Sequence, residues 1–320
     1  MTRIALICPY FGKVPDHFPQ WLISAKFNEN ITFIIVGDVE ITAELPENVK
    51  FVRSSFSEIQ RKIRTEFGEN VIIDKPYKLA DFRPAFGNLF AELFTGFEFW
   101  GYLDLDTILG DLKKYITEEK LDTFDKIGIR GHFTIYRNCE KINNLFLDPK
   151  PIKNTISFKT AFFKKGAFHF DEDWGMGSRM SKYDLKIDSL LSPIPVMADI
   201  SPKHFRFNPL KRNIDNAVYI WDKGHLYESS FDNFENDKNE VMYVHFQKRK
   251  ILSLLQPDSE TFFIIPNEIH SITTNSYQSI RSSSYPKSWP EGNFTHIFKY
   301  YLNVINSGEL KARLYKWINQ

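Results

Sequence analysis

Two apolar runs near the start of the chain, RIALIC (3–8) and TFIIVGD (Thr32–Asp38), are too uniformly hydrophobic to alternate. That pattern marks strands covered on both faces. The segment between them reads as a helical connection, VKFVRS (49–54) as a third strand, and SFSEIQRKIRTEF (55–67) carries helical spacing. Such alternation predicts an α/β fold with a mainly parallel, mixed sheet flanked by helices. In YKLADFRPAFGNLFAELF (77–94), Leu79, Phe82, Phe86, Leu89, Phe90 and Leu93 recur at three and four, which predicts a helix broken or restarted at Pro84. Further on, KIGIRGHFTIYRN (126–138) reads as a strand and NCEKINNLF (138–146) as a short helix. AVYIWDKGHLYESSF (217–231) reads as a hairpin turning at Asp222-Lys223-Gly224, and EVMYVHFQKRK (240–250) as another strand. The polar stretch 273–292 is the natural boundary, and the basic segment 294–320 reads as a helix with Leu310, Leu314, Trp317 and Ile318 on one face. Such a helix either caps the core or makes a peripheral contact with a membrane surface.

Composition narrows the class. With 42% hydrophobic and 25% charged residues and a formal charge of +1, the chain has the profile of a soluble globular protein and no electrostatic case for a nucleic-acid partner. Two cysteines, Cys8 and Cys139, exclude a disulfide framework and a cysteine-rich zinc site. No run approaches the ~20 apolar residues that span a bilayer, and the first apolar run is too short for a signal peptide, so a cytoplasmic location is expected.

The chemistry concentrates in YLDLDTIL (102–109), where an apolar strand ends in Asp104 and Asp106. Side chains two apart on an extended chain face the same way, so the two carboxylates converge. A divalent-metal clamp, a nucleophile paired with an acid, and a solvated turn all fit that pattern. YVHFQKRK adds His245 near a strand end, followed by Lys248, Arg249 and Lys250. Two carboxylates and an imidazole suit Mn²⁺ or Mg²⁺, and the cations suit phosphate oxygens. In parallel sheets the functional residues lie beyond the strand ends, which adds Pro9, Tyr10, Phe11 and Asp38.

Taken together, the parallel first half, KLADFRP, the DxD and the late HFQKRK resemble GT-A glycosyltransferases of bacterial capsule and lipopolysaccharide assembly, with likeness to glycogenin-like enzymes. The resemblance implies a Rossmann-like nucleotide-diphospho-sugar transferase fold. Residues 1–272 would form the catalytic domain, with a nucleotide-binding half (1–106) and an acceptor half (107–272), and 273–320 a small helical extension. It implies that Asp104, Asp106 and His245 hold Mn²⁺ or Mg²⁺, and that Asp104 and Leu105 contact the donor. Lys248 would meet the leaving diphosphate with Arg249 as helper. Pro9, Tyr10 and Phe11 would embrace the base, Asp38 would read it, and Lys78, Asp81 and Arg83 would touch ribose and donor sugar. The implied donor is UDP-linked and the acceptor a glycan or lipid-linked glycan.

FDEDWGMGSRMSKYDLKI (170–187) is read as three acids leading into a helix, where they stabilise its positive end. It also resembles the xED motif of inverting GT-A enzymes, which makes Asp173 the first candidate base and Glu172 the second, with Asp171 capping; in a retaining enzyme the same acids would orient the acceptor. Trp174 is either a stacking platform for an acceptor sugar or a core residue. YLDLDTIL also resembles the DxDxT signature of haloacid-dehalogenase phosphatases, with Asp104 as nucleophile. Against that stand its position far from the N-terminus and Thr107 in place of the usual glycine. A pyrophosphorylase would need a glycine-rich phosphate loop, which CPYFGK lacks, and a non-catalytic glycan-binding protein would need no such convergence of acids and cations.

Overall fold

The computed structural model describes residues 3–272, apart from 154, 193, 202–205, 213, 215, 232–237, 248 and 256–258. The boundary at 273–292 and the helix at 294–320 lie outside the described residues.

The large sheet is built from β1 (Ile4–Tyr10), β2 (Ile31–Gly37), β3 (Val49–Arg53), β4 (Phe99–Leu103), β6 (Lys126–Arg130), β7 (Phe133–Arg137) and β8 (Ile187–Asp188). Their order is β3-β2-β1-β4-β7-β6-β8. Strands β1 to β4 are parallel, and β7 runs antiparallel to both β4 and β6. Period-two geometry explains the uniform hydrophobicity of these strands. Ile4, Leu6 and Cys8 of β1 enter one core while Ala5 and Ile7 enter another, and in β4 Phe99 and Leu103 part from Trp100 and Tyr102 in the same way. Gly101 sits where β4 is most crowded; a Cβ there would stand 2.2 Å from the Thr134 carbonyl oxygen.

Helix α1 (Phe18–Lys26) covers one face with Phe18, Trp21, Leu22 and Ala25. On the other face α2 (Phe56–Phe67) buries Ile59 and Ile63, and starts at a capping box in which the Glu58 amide donates to Ser55 Oγ (3.3 Å) and the Ser55 amide to Glu58 Oε2 (2.7 Å). The first core continues into a six-stranded sheet of β10 (Ala217–Asp222), β11 (His225–Ser230), β12 (Asn239–Glu240), β14 (Leu252–Ser253), β15 (Thr261–Ile265) and β16 (Glu268–Ser271). Strands β10 and β11 form the hairpin expected around Lys223-Gly224. A third sheet, of β5 (Thr107–Leu109), β9 (Ala198–Asp199) and β13 (Tyr243–His245), has β13 at its centre.

Three local expectations change. The helix expected over 77–94 is a 3-10 helix, Pro76–Ala85, followed by one α-helical turn, Phe86–Leu89, and another 3-10 turn, Ala91–Phe94. Its polar residues outweigh its apolar spacing. Lys78 and Asp81, both 0% exposed, stand three apart, which a 3-10 helix brings into line, and pair at 2.7 Å. Lys78 Nζ also donates to the carbonyls of Ala161 (2.6 Å), Lys164 (3.0 Å) and Gly166 (2.6 Å), and Asp81 accepts from the amides of Phe168 and Phe170. The single strand expected over 126–138 is the β6–β7 hairpin, whose register shifts between Ile127 and Arg130, where Gly128 has φ +85°. The helix expected after the acids is a π-turn, Asp173–Gly177, leading into a short α-helix, Ser178–Lys182.

Removing one partner of a buried pair strands the other charge, so Asp81→Ala should cost about 3–5 kcal/mol in urea unfolding. Because Lys78 also satisfies three carbonyls and Asp81 two amides, Lys78→Met combined with Asp81→Leu should cost at least as much as Asp81→Ala alone.

Candidate functional site

The DxD follows β4 directly and is fixed by the backbone on both sides. The Asp104 amide donates to the His132 carbonyl (3.0 Å), Thr107 Oγ1 donates to the Asp104 carbonyl (2.8 Å), and the Phe246 amide donates to the Asp106 carbonyl (2.9 Å). β13 pairs antiparallel with β5, setting His245 opposite Thr107, and parallel with β9, setting His245 beside Asp199. His245 Nε2 lies 3.4 Å from Asp106 Oδ1, and ligand atoms of Asp104, Asp106 and His245 all fall within 4.8 Å of one another. Two carboxylate oxygens and one imidazole nitrogen at that spacing fit a hard divalent cation such as Mn²⁺ or Mg²⁺.

Charge balance follows from this crowding. Burial chiefly, with Asp106 adding to it, pushes the Asp104 carboxyl above the ordinary carboxylate range, against the pull of Arg83. For His245 burial is the largest influence and opposes protonation, yet Asp106 and Asp199 overcome it and push the imidazole up to about 10. Arg83 donates to Asp104 Oδ1, to the Gly131 carbonyl and to Asp171 Oδ2, the last at 3.0 Å. Asp171 is fully buried, so it anchors Arg83 instead of capping a helix in solvent.

The β1 loop stands beside the aspartates. Burial raises the Tyr10 hydroxyl, and the charges of Asp106 and Asp104 raise it further. Pro9 pairs with Val36 and Tyr10 with Gly37, while Phe11 packs edge-on against Phe56 at 5.3 Å. Exposed Asp38 accepts from the Gly12 amide (2.9 Å) and so ties the ends of β1 and β2 together.

Several expected contacts are not available. Lys78 and Asp81 satisfy one another and the backbone inside the protein, so they hold the 3-10 helix and offer no surface to a donor. Leu105 is buried in the core and presents only its backbone. Arg249 is 3% exposed with its guanidinium over the Phe207 ring, which sets it among core contacts and not among exposed cations. Lys248 lies outside the described residues. The acids take different places. A Cβ on Gly131 would stand 3.0 Å from Glu172 Oε1 and 3.1 Å from Arg83 Nη1, which places Glu172 at the rim of the Asp104–Arg83 group. Asp173 Oδ1 lies instead against Gly177 in its own turn. Trp174, next in the turn, is 42% exposed.

Two residues enter that the sequence reading did not pick. Asp199 Oδ1 accepts from Gln247 Nε2 (2.7 Å) and meets His245 Nδ1 at 2.8 Å, and His132 stacks on His245 with ring centres 4.0 Å apart and planes 10° from parallel. Asp199 closes the apolar run VMAD, the same signal that singled out Asp38 and Asp104. His132 had no such signal; only the β6–β7 turn brings it in.

Fold and site together define a mixed α/β protein with a carboxylate–imidazole cluster at the carboxyl ends of its central strands. Residues 6–273 match the model of a family described as "Family of unknown function (DUF6625)", and the chain belongs to that family. No curated protein matches it. No helix among the described residues is long and apolar enough to cross a membrane.

Beneath Asp171 lies Lys126, fully buried, its Nζ 3.5 Å from the Asp171 carbonyl and 5.2 Å from the Tyr136 ring centre. Burial lowers it to about 8, with Asp171, Asp173 and Glu172 acting the other way. The unfolded chain, with an ordinary lysine, then binds the extra proton between about pH 8 and 10.5, so stability rises with pH across that window. Lys126→Met removes the effect: urea unfolding should show the wild type gaining on the variant by about 3 kcal/mol from pH 7.5 to 10.5.

Proposed function

We propose that this protein is a metal-dependent glycosyltransferase of GT-A architecture that moves a sugar from a nucleoside-diphosphate donor, UDP-linked, to a hydroxyl of a glycan or lipid-linked glycan, with inversion at the anomeric carbon. The observation that carries the reading is the convergence of Asp104, Asp106 and His245 at the end of β4, beside Tyr10 at the end of β1. A surface-polysaccharide role, a cytoplasmic location and a peripheral membrane contact through residues 294–320 belong to the same reading.

In this reading Asp104, Asp106 and His245 hold Mn²⁺ or Mg²⁺. When bound, the metal neutralises charge developing on the departing diphosphate. The Pro9–Phe11 loop and Asp38 frame the base of the donor. Arg83 keeps Asp104 in place and adds positive charge close to where the diphosphate leaves. Glu172 takes the proton of the acceptor hydroxyl as its oxygen bonds to the anomeric carbon and the sugar–phosphate bond breaks. Trp174, exposed beside it, suits the apolar face of an acceptor sugar. A phosphatase using Asp104 as nucleophile is less well supported, because Thr107 stands where that signature has its usual glycine.

Thermal unfolding with UDP, GDP or CMP, each with and without Mn²⁺, tests the reading. UDP should raise the melting temperature only with Mn²⁺, corresponding to about 2.7 kcal/mol at a hundred times Kd, and Asp106→Ala should abolish the shift. A response to Mg²⁺ with a phosphate mimic, and none to nucleotides, would favour the phosphatase. Glu172→Gln should keep the Mn²⁺–UDP shift while lowering sugar transfer by ~10²–10⁴-fold.

A further inference from the structure

Resting on the metal-centre reading above, we infer that Asp199 is a positioning residue for His245, fixing which imidazole nitrogen faces the cation. The two ring nitrogens of His245 have different neighbours. Nδ1 meets Asp199 Oδ1 at 2.8 Å, while Nε2 lies toward Asp106 at 3.4 Å. An imidazole that binds a cation through one nitrogen has given up the proton there and carries a single N–H on the other, and a carboxylate accepts without donating. Asp199 therefore keeps that hydrogen on Nδ1 and leaves the Nε2 lone pair directed at the Asp104–Asp106 side. Metal-binding histidines commonly have their second nitrogen held in this way, which fixes the ring and strengthens it as a ligand.

The arrangement is built, and not a chance approach of surface groups. Asp199 and His245 are direct partners across β9 and β13, and the Ile200 amide donates to the His245 carbonyl (2.9 Å). Gln247 Nε2 donates to the same Asp199 oxygen that meets Nδ1, so the carboxylate is itself oriented. His132 covers the face of the His245 ring, and Tyr243 Oη lies 3.3 Å from His132 Nδ1, so the ring plane as well as its tautomer is fixed. His132, Asp199 and His245 can also be grouped as a three-residue ligand set. The stacking argues against that use, because near-parallel rings 4.0 Å apart aim their nitrogens past each other instead of at one point.

The test is Mn²⁺ binding to the full chain, followed by titration calorimetry and by the nitrogen modulation that a bound imidazole imposes on the Mn²⁺ electron spin echo. Asp199→Ala should weaken Mn²⁺ binding 10–100-fold and diminish the nitrogen modulation. Asp199→Asn, whose amide oxygen still accepts from Nδ1–H, should recover part of both and guards against loss of folding in the alanine variant. Melting temperatures without metal should differ less among the three proteins than the Mn²⁺-induced shifts do. Wild-type affinity and modulation in Asp199→Ala would overturn the inference and leave the metal centre standing. Absence of Mn²⁺ binding in the wild type would overturn the metal centre itself, and the inference with it.

Discussion

Four carboxylates, those of Asp104, Asp106, Asp171 and Asp199, are gathered at one end of the large sheet, and at low dielectric they cannot coexist without compensating positive charge. The protein supplies it from fixed points. Arg83 spans Asp104 and Asp171, and His245 lies between Asp106 and Asp199. Each cation thus serves one acid of the DxD and one acid behind it, so the inner pair sets where the outer pair can stand. The short antiparallel hairpin and the three-stranded sheet are the scaffolding this balance requires.

Much of the fold was legible because the strongest sequence signal coincides with the strongest energetic term. The runs around Leu6 and Ile35 are hydrophobic on both faces because each strand separates two cores, and burial on that scale leaves little room for another conformation. The segment from Tyr77 to Phe94 misleads for the opposite reason. Its apolar spacing suggests a regular helix, while Lys78 and Asp81 are bound to backbone groups contributed from residues 161–170, which no local pattern can show. A buried polar pair that has to be satisfied outweighs propensity.

At the site the same division appears. That Asp104, Asp106 and His245 come together was readable, because paired acids at a strand end and a histidine near another strand end mark the positions from which side chains converge, although the acids stand in the bend between β4 and β5. The directions of Glu172 and Asp173 were not, since both leave the same acidic run and only the π-turn decides which carboxylate turns toward Gly131 and which toward Gly177. Arg249 looked like a companion of Lys248 and Lys250, yet its long side chain lies over Phe207. Charge in a sequence says little about direction.

The three-stranded sheet draws its strands from residues 107–109, 198–199 and 243–245, stretches far apart along the chain. Closing such long loops is an entropic cost that only the finished assembly recovers. Its shortest member, the two-residue β9, adds few backbone bonds of its own and is held chiefly by Met197, Ala198 and Ile200, which all lie in the first core. Detaching it would draw those side chains out of a core shared with β1 and β4 as well as release the Asp199 side of His245. The contact between Asp199 and His245 is therefore as durable as the core that also carries β1 and β4.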